Sequence, residues 1–253
     1  MLAASMPGPL ILVNLDDAVL RRARMHAQLA AQSLSYRRVA CDFRRCDRGT
    51  IVRWYAARFP AIRPLAAWLS GAELGCWASH LCAWEAILQS GCAAGTVLED
   101  DVILAPAFAD GVAALAADLG DFDLVYLGTS SRNLSHRRLT VHGPLTIHAP
   151  VGLVLNTWGY VVSAQWIARL LDQPPFRPTM PIDHFLGGRA RVAKPRIGVL
   201  RPSLVEEDGR TARDSQIAPH TWRVDRLRAV EAARRRFLAS RAGDWLHTIY
   251  RWL

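Results

Sequence analysis

Thr96-Val97-Leu98-Glu99-Asp100-Asp101-Val102-Ile103-Leu104 sets three consecutive acidic residues between two short apolar runs. Runs of this length and composition read as strands buried on both faces, the pattern of a sheet covered by helices on each side. Strand alternation turns Glu99 and Asp101 to one side and leaves Asp100 on the other, as a structural or ligand-facing residue. A hard divalent cation takes carboxylate oxygens, and a departing phosphate group needs such a cation to neutralise its charge. A solvated turn at a sheet end has the same composition, so spacing alone leaves both readings open.

Upstream, Leu10-Ile11-Leu12-Val13 is a second apolar run, and Asn14-Leu15-Asp16 follows it. Residues 18–34 set Leu20, Ala23, Ala27, Leu29 and Ala30 among arginines, which suits a helix packed by one face. Residues 36–40 read as the next strand, giving a βαβ opening. Ligands of open α/β sheets collect outside the carboxyl ends of strands, where Asn14 to Asp16 and Glu99 to Asp101 both fall.

Between these ends, Ser70-Gly71-Ala72-Glu73 reads as a capping box opening a helix to about Gln89. Leu74, Trp77, Leu81, Trp84, Ile87 and Leu88 make that helix apolar nearly all round, a core helix. Ser79 and His80 within it need hydrogen-bond partners, either as satisfied core residues or as ligand contacts. Residues 44–63 mix Trp54, Tyr55 and Phe59 with arginines and Pro60, as in a helix-loop insert or a lid. Strands are expected over 122–127, 151–155 and Gly159–Ser163, a helix over Ala164–Leu171, and a loop over 202–219. The expected class is α/β, with a mixed or mostly parallel sheet.

A chain of 253 residues, 51% hydrophobic and 21% charged, accommodates one large domain and a small appendage. Five cysteines without a CxxC pair argue against a disulfide framework and a thiolate zinc site, and read as reduced thiols. No run approaches the roughly 18 uncharged apolar residues of a membrane span, and residues 1–9 lack a signal pattern, so the expected location is cytoplasmic.

The net charge of +9 is uneven: residues 189–253 hold 15 basic and 7 acidic residues. From 225 onward Leu227, Val230, Phe237, Leu238, Trp245, Ile249 and Trp252 fall near one helical face beside an arginine-rich one. A basic amphipathic helical segment over 223–253 is therefore expected after a main domain over 1–222. It either rests peripherally on anionic lipid at the inner face of the cytoplasmic membrane or packs on that domain. Flotation with anionic liposomes, of the full chain against one ending near Arg223, separates the two. The pI near 10.0 comes without a nucleic-acid reader motif, so no nucleic acid is expected.

Asn14-Leu15-Asp16 with Arg21-Arg22, the Leu69-Ser70-x-x-Glu73-x-Gly75-Cys76-x-x-Ser79-His80-x-x-x-Trp84 stretch, and Val97 to Val102 together resemble glycosyltransferase family 25, the lipooligosaccharide galactosyltransferase family. Asp123 to Gly128, Trp158 to Ser163 and Pro181-Ile182-Asp183 extend the resemblance over about residues 10 to 205. It implies a GT-A-like single domain with a Rossmann-type nucleotide-sugar sheet, a UDP-sugar such as UDP-galactose, Mn²⁺ or Mg²⁺, and a glycan or lipid-linked acceptor such as growing lipopolysaccharide. Residue by residue, it implies that Asn14, Leu15, Asp16 and Arg21 contact the nucleotide, Ser79 and His80 the donor, and Glu99 and Asp101 the cation. Gly159 and Tyr160 would border the acceptor side. Two departures fall on the donor side: Ala40-Cys41-Asp42 replaces a common valine-aspartate-glycine turn, and Asp17 takes an often basic place.

Inverting transfer needs a base for the acceptor hydroxyl's proton and cationic groups for the leaving nucleoside diphosphate. Asp183 is the candidate base, and a helix N-cap is its simple structural alternative. The acidic triplet would also serve a nucleotidyltransferase, which releases pyrophosphate rather than UDP. A non-catalytic nucleotide- or glycan-binding protein of the same fold is the remaining reading.

Overall fold

Strand β1 (Leu10–Val13) pairs in parallel on both sides, with β2 (Arg37–Val39) and β3 (Ala94–Glu99). The computed structural model describes residues 7–62, 68–129, 134–150, 154–172, 178–189 and 194–210. Helix α1 (Val19–Ala31) links β1 to β2, while α2 (Arg48–Arg58) and α3 (Gly71–Gln89) lead from β2 to β3. The chain next forms β4 (Val102–Leu104), α4 (Phe108–Ala117), β5 (Leu124–Tyr126), the hairpin β6 (Leu134–His142) and β7 (Leu145–Pro150), β8 (Gly159–Ser163) and α5 (Ala164–Leu171). A helical turn α6 (Ile182–His184) runs into a π-helical stretch, Phe185–Arg189, before β9 (Ile197–Arg201) and β10 (Val205–Glu207).

Eight strands form one sheet in the order β2-β1-β3-β8-β5-β9-β7-β6, and β4 pairs with β10 in a separate ribbon. Parallel pairing joins β1 to β2, β1 to β3 and β5 to β9, and the remaining four pairings are antiparallel, so the sheet is mixed. Period-2 alternation divides the core into two layers. Ile11, Val97, Leu124, Tyr126, Tyr160 and Val162 pack on α2, α3 and α5. Leu10, Leu12, Leu98, Val125 and Val161 pack on α1 and α4 through Met25, Leu29, Phe108, Val112 and Leu115.

Helix α3 positions most of the site. Ser70 caps it, accepting from Glu73 N–H at 3.2 Å while Glu73 accepts from Ser70 N–H at 2.7 Å. Such a cap contributes about 1 kcal/mol and fixes where the helix starts. A Cβ on Gly75 would lie 2.6 Å from the Cys41 carbonyl oxygen, so only glycine lets the segment after β2 cross the helix this closely.

Several sequence expectations change. Of the two readings of residues 44–63, the helix-loop insert holds over the described part, 44–62: α2 buries Ile51 and Tyr55, and the Tyr55 hydroxyl donates to Leu74 O at 2.7 Å. The expected loop over 202–219 contains β10, held by β4. Residues 154 and 155 are not strand, and 151–153, like the basic segment at 223–253, lie outside the described residues. The bracket around the acidic triplet also differs, because β3 and β4 belong to different sheets and Asp100 and Asp101 form the bend between them.

Candidate active site

Sheet order reverses at β1, with β2 on one side and β3 on the other, α1 on one face and α3 on the opposite one. That reversal opens a crevice at the carboxyl ends of β1 and β3, where Val13 stands beside Glu99. A cleft of about 710 Å³, counting the part open to solvent, lies there. Leu15, Arg21, Arg44, Ser79, Glu99 and Asp101 are among its walls.

Asn14 is the hinge of the crevice. Its side-chain amide donates to Asp100 Oδ2 at 2.6 Å and to Ala18 O at 3.2 Å, and Arg21 pairs with Asp100 at 3.1 Å. Asp100 is therefore a positioning residue, tied to the start of α1. Asp16, expected beside the nucleotide, does not line the cleft; its side chain is 83% exposed and paired with Arg38 at 2.6 Å. The two family departures prove linked: Arg44 donates to Asp17 at 2.7 Å and to Asp42 at 2.6 Å, and this holds the Asp42 carboxyl below its usual range.

Asp101 is the most stressed carboxyl. Burial, then the charges of Glu99 and Asp100, push it up to about 7. Its Oδ1 is buried without a hydrogen-bond partner among the described residues. Burial raises Asp100 as well, against the pull of Asn14 and Arg21. Strand alternation does not deliver this arrangement, since β3 ends at Glu99; the bend returns Asp101 to Glu99 instead.

A second cleft, about 1000 Å³ with its open part, shares Glu99 and Cys76 with the first. Asp183, His184, Thr157, Trp158 and Glu73 line it. Asp183 is not the N-cap of α6, which is Pro181; its Oδ1 accepts from the His184 N–H at 2.7 Å. Burial raises the Asp183 carboxyl to about 6, offset in part by that hydrogen bond and reinforced by Glu99.

Beneath the shared wall, Trp84 Nε1 donates to the Tyr160 hydroxyl at 2.9 Å, and that hydroxyl meets His80 Nδ1 at 2.7 Å. An indole only donates, so the phenol accepts from Trp84 and can give its own proton to Nδ1. His80 Nε2 then carries the proton and faces Glu99 Oε1 at 3.4 Å. Thr157 donates to the same oxygen. His80 and Tyr160 are fully buried. These three expected contacts are thus indirect: His80 faces Glu99, and Gly159 and Tyr160 are buried, while Thr157 and Trp158 line the second cleft. Ser79 lines the first cleft, with its hydroxyl donating to Gly75 O at 2.9 Å and accepting from Cys41 N–H at 3.0 Å. Thr157 and Arg44 carried no sequence signal, because only the fold brings them to Glu99 and the crevice.

A family model described as Glycosyltransferase family 25 (LPS biosynthesis protein) matches residues 8–186, which takes in β1, the α3 motif, the acidic bend and Asp183. The chain belongs to glycosyltransferase family 25. Among its curated relatives in family 25, procollagen galactosyltransferase 2 of Mus musculus is 25% identical over 184 residues, 70% of this chain and 29% of the relative. Procollagen galactosyltransferase 1 of Danio rerio is 30% identical over 124 residues, 47% of this chain and 20% of the relative. A Bos taurus protein named probable inactive glycosyltransferase 25 family member 3 is 31% identical over 122 residues, 47% of this chain and 20% of its own length. The chain thus spans under a third of the length of these relatives.

A stability prediction arises from the raised carboxyls. Asp101 and Asp183 bind protons more tightly folded than unfolded, so between about pH 4 and 7 the folded state holds more protons and stability falls as pH rises. Metal-stripped protein should melt at least about 3 °C higher at pH 5.5 than at pH 7.5. Mn²⁺ should reverse this at pH 7.5. A melting temperature that climbs steadily from pH 5.5 to 7.5 without metal overturns the carboxyl arrangement.

Proposed function

We propose that this chain is a GT-A-like, cation-dependent glycosyltransferase that takes a sugar from a UDP-sugar, galactose in the first instance, and passes it with inversion to lipopolysaccharide or another glycan. Asp101 carries the reading: a carboxylate with a buried, unpartnered oxygen, set against Glu99 and Asp100 in a cleft at the sheet's reversal point. Three carboxylates answered there by Arg21 leave surplus negative charge, and their all-oxygen donor set suits Mn²⁺ or Mg²⁺. Glu99 and Asp101 would hold the ion, with Asp100 fixing the bend. When bound, the cation supplies neutralisation of the charge that develops on the departing diphosphate.

The chain's own groups do the rest. Leu15 offers an apolar wall to the donor, and Arg21 and Arg44 bring positive charge to the same cleft. Asp183 stands in the adjoining cleft, where an acceptor hydroxyl can approach Glu99's side of the site. A carboxylate near 6 is ionised at neutral pH yet basic enough to take that hydroxyl's proton as the bond to the sugar forms.

The decisive experiment is a donor screen with Mn²⁺, measuring nucleotide release from UDP-, GDP- and CMP-sugars. UDP release above the others is expected. Pyrophosphate in place of UDP assigns a nucleotidyltransferase. UDP binding without turnover on any donor sinks the transferase reading and supports a binding protein, a reading that the name of the Bos taurus relative keeps in view.

A further inference from the structure

We propose that Cys76, His80 and Glu99 form a zinc site on the wall shared by the two clefts. Their sulfur, imidazole nitrogen and carboxylate oxygen lie within 4.8 Å of one another. Cys76 and His80 are four residues apart on α3, which stacks them on one helical face, and Glu99 reaches them from the end of β3. Three protein ligands with a fourth position facing a cleft is the arrangement of an exchangeable zinc site. This inference does not depend on glycosyl transfer.

Two further observations support it. Both nitrogen and oxygen ligands are oriented from behind: zinc at Nε2 takes the tautomer with the ring proton on His80 Nδ1, which then donates to the Tyr160 hydroxyl at 2.7 Å, Trp84 donates to that hydroxyl as well, and Thr157 holds Glu99. Partners of this kind are what metal-bound histidines and carboxylates ordinarily have. The second observation is charge. Glu73, Glu99 and Asp183 line the second cleft together with Cys76, and Asp100 and Asp101 line the first, a gathering of carboxylates on both sides of the sulfur that attracts a cation.

Sulfur and imidazole select Zn²⁺ or Co²⁺ over Mn²⁺ and Mg²⁺, which prefer oxygen throughout. Glu99 belongs to both donor sets, so zinc here withholds it from the diphosphate's cation. The cysteine pattern gave no warning, because the ligands come from a helix and a strand rather than from paired CxxC motifs.

Cobalt(II) is the probe. The full chain, reduced and metal-stripped, should take up one equivalent of Co²⁺ with a thiolate-to-cobalt charge-transfer band. Zn²⁺ should remove the band and excess Mn²⁺ should not. Cys76→Ser should abolish it and weaken Zn²⁺ binding at least about tenfold, while Cys82→Ser and Cys92→Ser retain it. Should Cys76→Ser fail to fold, alkylation of the wild type decides, since bound zinc must slow iodoacetamide modification of Cys76 as read by peptide mass. A folded wild type without the band, a band that survives Cys76→Ser, or equal alkylation with and without zinc overturns the site.

Discussion

Asp101→Ala should lower UDP-sugar turnover by about three orders of magnitude, because a cation's stabilisation of a leaving diphosphate is worth several kcal/mol and each 1.36 kcal/mol is tenfold. The loss should come without unfolding. Asp101 contributes no hydrogen bond through Oδ1 and is held ionised only against burial and the charges of Glu99 and Asp100. Removing it relieves that repulsion, so the metal-free variant should melt higher than the wild type at pH 7.5 and should gain no stabilisation from added Mn²⁺.

Opposite signs in activity and stability are what separate a metal ligand from a structural residue. Asp100 supplies the contrast, since Asn14 and Arg21 both hold it and its loss unties the start of α1 from the bend. Asp100→Ala should therefore lower both quantities. Metal-dependent turnover retained in Asp101→Ala sinks the cation assignment.

Much of this site was legible in the chain because its parts are local. The capping box at Ser70, the uninterrupted apolar run at Leu10 to Val13 and the strand and helix at 159–171 each carry their signal within a few residues. What escaped is what depends on pairing at a distance. Strand β10 is three residues long with two exposed glutamates, and only its ladder with β4 makes it a strand. The alternation argument for Glu99 and Asp101 rests on a premise that fails, since the chain leaves the sheet after Glu99. The indirect placing of Tyr160 could not be read either, because strand alternation says which face it takes but not that Trp84 and His80 cover its hydroxyl.

Asp183→Asn is the sharper test of mechanism. Asparagine keeps the shape and an oxygen for the His184 N–H, so the turn at 182–184 should survive, but the side chain can no longer take a proton. Turnover should fall about 10² to 10⁴-fold with donor affinity unchanged, the range expected for loss of a general base. The pH profile carries the assignment. A base must be deprotonated, so wild-type kcat/KM should rise with pH through about 6 and level off above it, and that limb should be missing in the variant. Asp101 adds a second titration near 7 when the cation is absent, because protons and metal compete for it. The two are separable by metal: raising Mn²⁺ must move the Asp101 limb to lower pH and leave the Asp183 limb in place. Near-normal turnover in Asp183→Asn, with the acid limb intact, would leave Asp183 as a residue that only closes its helical turn, and the base would have to be sought among the other groups lining the second cleft.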